Sequence, residues 1–171
     1  MKKSRPTVFR NESWLPRPRD EVFAFFADAR NLEAITPPWL RFRVVTPGPI
    51  TMQVGLKIDY RLRVRGLPMR WQSEITLWNP PMRFVDEQRR GPYRLWRHEH
   101  RFEDWGGGTL CIDVVHYIAP GGLLRKWIDR LWVGPDIARI FEFRRRAMNE
   151  RFGLQATGSL ISKMDPPSGA A

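Results

Sequence analysis

Strict two-residue alternation through the middle of the chain most narrows what it can fold into. In "LKIDYRLRVR", Leu56, Ile58, Tyr60, Leu62 and Val64 fall on one side, and Lys57, Asp59, Arg61, Arg63 and Arg65 on the other. That is the period of a strand with one buried face. Turn-forming runs then set off further strand-like stretches: "GLP" before "MRWQSEITLW", "NPP" before "MRFVDEQRR", "GP" before "YRLWRHEHRFE" and "DWGGG" before "TLCIDVVHYIA". With "LRFRVV" ahead of them, six strands between Leu40 and Ala119 are predicted to form a curled antiparallel meander.

The flanks are of a different kind. "TVFRNESW" (residues 7–14) predicts one more strand. After Pro18, the spacing of Val22, Phe23, Phe26 and Ala27 is helical, and a second short helix over Leu32–Ile35 is stopped by "TPPW". Near the C-terminus, "GLLRKWIDRLW" places Leu123, Leu124, Trp127, Ile128, Leu131 and Trp132 at helical spacing. Gly134–Pro135 should break that helix and start another, with a stripe of Ile137, Ile140, Phe141, Met148 and Phe152 and Gly153 as its C-terminal cap. Residues 155–171 lack periodicity and predict a disordered tail, which leaves residues 1–154 as one α+β domain.

Even-numbered residues set the site. In "YRLWRHEHRFE", Trp96, His98, His100 and Phe102 share one face and Arg97, Glu99, Arg101 and Glu103 the other, so the histidine face is the inner one. Pairing Gln88 with Trp96 sets Asp86 opposite His98 and Phe84 opposite His100. Pairing Phe102 with Leu110 sets His100 opposite Ile112, His98 opposite Val114 and Trp96 opposite His116. Pairing Val64 with Met69 and Leu77 with Met82 adds Tyr60, Trp71 and Ser73 to the same wall. The result is an apolar lining of Trp71, Phe84, Trp96, Phe102 and Ile112, crossed by a polar band of Tyr60, Ser73, Asp86, Gln88, His98, His100 and His116. An inward Asp86 needs a partner, and His98 is the expected one. On the outer face the same register aligns Arg63, Arg70 and Arg89 in one row.

The order of elements, together with "ESWLPRPRDEVFAFFADARNLEAITPPWLRF", "GLPMRWQSEI", "RFVDEQRRGPYRLWRHEHRFE", "GGGTLCIDVVHYIAP" and "RIFEFRRRAM", resembles the SRPBCC superfamily. This is the START and birch-pollen-allergen-like group, and the likeness is to its bacterial cyclase/dehydrase-like branch, over about residues 7–152. The resemblance implies a helix-grip fold, a bent antiparallel sheet around a long C-terminal helix, with a cavity for an apolar or amphipathic molecule between them. It implies no particular catalytic residues.

Two functions follow. The first is a binder of a hydrophobic or amphipathic molecule, lipid- or polyketide-like, on the lining residues above. The second is a cyclase or dehydratase in which His98, paired with Asp86, acts as general base or acid. No metal and no other cofactor is expected: His98 and His100, two apart on a strand, lie about 6.6–7 Å from each other at the backbone, and no zinc-type spacing is present.

Charge speaks to partners. The chain carries 29 lysines and arginines against 18 acids, a formal +11, and only five of the basic residues are lysine. Aromatics inward and arginines outward do not make a nucleic-acid stacking surface, so no specific nucleic acid is expected. A weak association with an anionic membrane surface is compatible with "LLRKWIDRLW", although burial of its apolar face against the sheet is the preferred reading. Gly121, Gly122 and Gly134 could hinge the same segment as a lid, again second to packing. The single cysteine, Cys111, is a packing residue that precludes an intrachain disulfide and fits a cytoplasmic location. The sequence leaves the oligomeric state open.

Overall fold

The computed structural model describes residues 5–153, so the predicted tail over 155–171 lies outside the described residues. One antiparallel sheet holds β1 (Thr7–Leu15), β2 (Arg43–Val44), β3 (Lys57–Val64), β4 (Leu67–Asn79), β5 (Arg83–Arg90), β6 (Leu95–Trp105) and β7 (Gly108–Ile118), in the order β1-β7-β6-β5-β4-β3-β2. The meander is therefore as expected, with β1 closing onto β7. Helix α1 (Arg19–Ala27) and two 3-10 turns, Ala29–Glu33 and Pro38–Leu40, link β1 to β2. The second short helix is thus a 3-10 turn beginning earlier than Leu32, started by Asp28, whose carboxylate accepts from the Arg30 N–H at 2.9 Å. The proline run starts another such turn instead of only ending one, and "LRFRVV" shrinks to a two-residue strand.

The C-terminal arm runs unbroken through a 3-10 turn (Gly122–Leu124), α2 (Arg125–Ile128), a π turn (Asp129–Val133) and α3 (Gly134–Phe152). The expected break at Gly134–Pro135 does not occur, and Gly134 is helical at φ −59°, ψ −51°. The π turn explains this. Proline in a regular helix collides with the carbonyl four residues back and lacks the N–H to bond it. Here the Gly134 N–H reaches back five residues to the Asp129 carbonyl, and the widened turn makes room for Pro135. Gly153 does cap α3, left-handed at φ 79°.

Three hydrophobic clusters hold the sheet to the helices. The largest joins Leu15, Val22, Phe23, Phe25, Phe84, Phe102, Cys111, Met148 and Phe152, so α1 and the end of α3 share one core with the inner faces of β5, β6 and β7. A second joins Val115 and Tyr117 to Ile137 and Phe141 of α3, and a third joins Ile58 and Tyr60 to Ala29.

Register decides which side chains reach that interior. β5 and β6 pair as expected, Phe84 with His100 and Asp86 with His98. β3 and β4 pair two residues away from expectation, Val64 with Leu67 and Tyr60 with Trp71, which preserves the faces. In β4 a bulge between Ile75 and Leu77 turns Trp78 inward, where the sequence placed Leu77, and Trp78 packs on Phe23 and Phe84 at 5.2 and 5.7 Å between ring centroids. β6 and β7 are one residue out: Phe102 faces Cys111, His100 faces Asp113, His98 faces Val115 and Trp96 faces Tyr117. One residue flips a whole strand. The odd-numbered residues of β7 therefore look inward, while Ile112, Val114 and His116 look to the convex face.

That convex face differs from the sequence reading as well. The row of Arg63, Arg70 and Arg89 is not formed: Arg61 opposes Arg70, Arg63 opposes Pro68, and Arg89 bonds Glu74 and Glu87. Ile112 and Val114 are nonetheless buried, flanked by Arg10 and Glu12 on one side and Glu99 and Arg101 on the other. Long stems cover apolar surface in this way. Glu99 is buried among them, accepting from Arg101 at 2.8 Å and Arg97 at 3.3 Å. The Arg101 hydrogen bond, against burial, holds its carboxyl below the usual range.

Candidate functional site

Between the concave sheet and α3 lies a cavity of about 490 Å³. Of the residues named from sequence, Tyr60, Trp71, Ser73, Phe84, Asp86, Trp96, His98 and His100 line it. Gln88, Phe102, Ile112 and His116 are not among its lining residues. The side chain of Gln88 ties down the following turn instead, donating to the Tyr93 carbonyl at 2.7 Å and accepting from its N–H at 3.3 Å. Phe102 is buried behind the cavity among Phe23, Phe26 and Phe84. Ile112 and His116 are lost to the β7 register.

The same register brings in a residue that sequence reasoning missed. Asp113 is buried and faces the histidines. His98 Nε2 lies 2.9 Å from Asp113 Oδ1, and Asp86 is bonded to the other ring, His100 Nε2, at 3.2 Å. The expected His98–Asp86 pair is thus an adjacency: His98 Nδ1 is 3.7 Å from Asp86 Oδ2, beyond hydrogen-bond reach. His100 Nδ1 comes within 3.1 Å of Asp113 Oδ1, but its N–H direction misses the oxygen, so that contact is electrostatic. Further donors complete the carboxylates: the Ser73 hydroxyl to Asp86 at 3.3 Å, itself accepting from Trp71 Nε1 at 3.0 Å, and the Asn11 amide to Asp113 at 3.5 Å.

The four groups titrate in different directions. Burial pushes both carboxyls up, but their contacts with His100 and His98 outweigh it, leaving Asp86 low and Asp113 well below the usual carboxylate range. Burial lowers His98, the adjacent charge on His100 lowers it further, and the Asp113 bond only partly compensates. For His100, burial also lowers, but contacts with both carboxylates win and the ring is held above its ordinary value. The two rings are thus pushed in opposite directions, His98 toward the neutral form and His100 toward the protonated form. The rings are 3.7 Å apart, and Phe84 stacks on His100 at 4.2 Å.

The two low-lying carboxylates make this a buried site of negative character. The Arg144 guanidinium, on α3 and in the cavity wall, balances it. Its Nε and Nη1 are buried with no hydrogen-bond partner, and it rests over the Phe141 ring at 4.9 Å. Burial pulls its pKa down, opposed by the charges of Asp113 and Asp86. The sequence carried a signal for it: Arg144 falls between Phe141 and Met148 on the helix stripe, a charge on an apolar face.

Asp86, His98 and His100 each offer a ligand atom within 4.8 Å of the others, a spacing open to a metal ion. To bind one, the set would have to give up the His100–Asp86 bond, and His98 Nε2 is already engaged by Asp113.

Residues 15–131 match the family described as polyketide cyclase / dehydrase and lipid transport. No curated protein matches the chain. Among solved structures, it is similar to the Zhui aromatase/cyclase from Streptomyces, 18% identical with a TM-score of 0.66 over 91% of this chain and 99% of that one. It is also similar to the major latex-like protein of Panax ginseng, 10% identical with a TM-score of 0.66 over 88% and 99%. A Mycobacterium smegmatis protein is 18% identical, with a TM-score of 0.64 over 88% and 92%. At these identities the likeness establishes the helix-grip fold.

Proposed function

The chain belongs to the SRPBCC superfamily, in its polyketide cyclase/dehydrase and lipid transport family, and from that premise we propose that it holds a hydrophobic or amphipathic small molecule, lipid- or polyketide-like, between the sheet and α3. The observation that carries this reading is Arg144: its Nε and Nη1 are buried with no hydrogen-bond partner, in a cavity wall that joins aromatic and aliphatic side chains to the Asp86–His98–His100 cluster. Buried donors are rarely left unpaired. A ligand whose apolar body lies on Trp71, Phe84 and Trp96, and whose oxygen faces Arg144, would satisfy them.

Anilinonaphthalene sulfonate, an apolar body with an anionic oxygen head, tests this directly. It should bind the protein and fluoresce. Arg144→Leu should keep the melting temperature within a few degrees yet weaken binding by about 10- to 100-fold, the worth of a hydrogen bond to a charged group. Native mass spectrometry of the purified protein should show an amphipathic molecule released on denaturation. Equal dye binding by wild type and Arg144→Leu, with nothing released, would reject the reading.

One observation favours a second reading, an enzyme of the cyclase or dehydratase type. His98 and His100 are neighbours whose environments push their pKa values apart, which is how a site comes to hold a base and an acid at one pH. His98, oriented by Asp113 through Nε2, would take a proton at Nδ1 from the carbon between two carbonyls, and the field of the adjacent His100 would stabilise the developing enolate. Acetoacetyl-N-acetylcysteamine in D2O should then exchange its methylene protons faster with the protein present, and His98→Ala should abolish the acceleration. A rate equal to buffer alone would remove this reading.

A further inference from the structure

The amphipathic segment ahead of α3 is not packed against the sheet. Leu123 is 101% exposed, Trp127 65%, Leu131 57% and Trp132 51%, with Leu124 exposed beside them. The preferred sequence reading, burial of this face, is therefore overturned. Five large apolar side chains on ten residues are a patch of the kind that marks an interaction surface.

Its charge says what kind. Lys126 and Arg130 are exposed on the same segment. Its one acid, Asp129, is withdrawn, accepting from the Tyr117 hydroxyl at 2.7 Å and the Thr7 hydroxyl at 2.8 Å. The next acid, Asp136, is held by Arg65 in two hydrogen bonds of 3.0 and 3.1 Å. The outer surface there is thus apolar and cationic, on a chain of formal charge +11. That is the composition of a helix lying in an anionic lipid interface. No helix among the described residues is long and apolar enough to cross a membrane.

Position adds a second point. Trp39, Arg65 and Arg139 line the cavity and are themselves exposed, so the cavity opens there. The Arg65 guanidinium lies 5.8 Å from the Trp132 ring centroid, which sets the patch at the edge of that opening.

We infer that the Leu123–Trp132 face docks on an anionic lipid bilayer, presenting the cavity mouth to the membrane surface. Docking goes beyond the ligand reading and is measured without reference to any ligand. The full chain should cosediment with vesicles of phosphatidylcholine containing about one-third phosphatidylglycerol, at least ~10-fold more tightly than with phosphatidylcholine alone, and added salt should weaken it. Lys126→Gln with Arg130→Gln should lower affinity about 5-fold per cation removed. Leu123→Asp with Trp127→Asp, at exposed positions, should abolish binding while the thermal unfolding curve is kept.

Absence of binding, or equal binding to both vesicle types, overturns the inference on wild-type protein alone. So does retained binding in the Leu123/Trp127 variant. A concentration-dependent dimer, dispersed by that variant and indifferent to vesicles, would overturn it too, by assigning the face to a second copy of the chain.

Discussion

Asp113→Ala should lower the melting temperature by about 10 °C. Asp113 is buried, bonds His98 at 2.9 Å and lies 3.1 Å from the His100 ring. Its loss removes the partner of His98 Nε2 and leaves the His100 ring with Asp86 alone. Removing one member of a buried pair costs about 3–5 kcal/mol, and each kcal/mol moves a domain of this size by about 2–4 °C. The pH dependence should change as well. Asp113 and Asp86 sit below their ordinary 3.8, so the stability they contribute is full above that value and is lost as pH falls through their native pKa values. His98, held below 6.5, adds to the acid-side loss as pH drops from 6.5 toward its native value. His100, held above 6.5, acts oppositely, stabilising below 6.5 and losing that contribution as pH rises through its native value. Wild type should therefore show a steep acid limb that is shallower in Asp113→Ala. Calorimetry across pH measures both, and a variant that melts with wild type at neutral pH would show that the cluster does not hold the fold.

Phe102→Ala should be of comparable size. Phe102 is 2% exposed and sits at 5.4 Å from Phe23, 5.1 Å from Phe26 and 6.2 Å from Phe84, centroid to centroid. Truncating a buried phenylalanine costs about 3–5 kcal/mol in lost transfer energy and residual cavity. This ring ties α1 to the sheet, so the denaturation midpoint should shift strongly in urea. A change under about 1 kcal/mol would place Phe102 outside the packed core. Because its side chain is not part of the cavity lining, dye binding per folded molecule should survive, which separates it from Arg144→Leu.

The two residues also show what could be read from sequence. The inward face of Phe102 and of the β5–β6 ladder was legible because β6 carries charges on one face and aromatics on the other, so a one-residue slip would turn the charges inward. β7 offered no such contrast: Leu110, Ile112, Val114 and Ile118 make one apolar row, and Cys111, Val115 and Tyr117 another. The deciding signal was in the turn. Gly106 and Gly107, both at positive φ, form a two-residue connection that pairs Trp105 with Gly108. From that pairing alone Asp113 would fall opposite His100. The β4 bulge beyond Ile75 had no comparable mark. The exposed face at Leu123–Trp132 was misjudged for another reason: helical periodicity finds an apolar stripe but does not say whether a partner surface covers it.

The π turn at Asp129–Val133 has a wider meaning for the arm. One added residue advances a helix by about 100°, so this turn acts as a phase shifter between two stretches of one rod. Upstream of it the greasy side looks outward, and downstream Ile137, Phe141 and Arg144 look inward to the sheet. Deleting a single residue there would swing the guanidinium a quarter revolution out of its compartment without altering any strand.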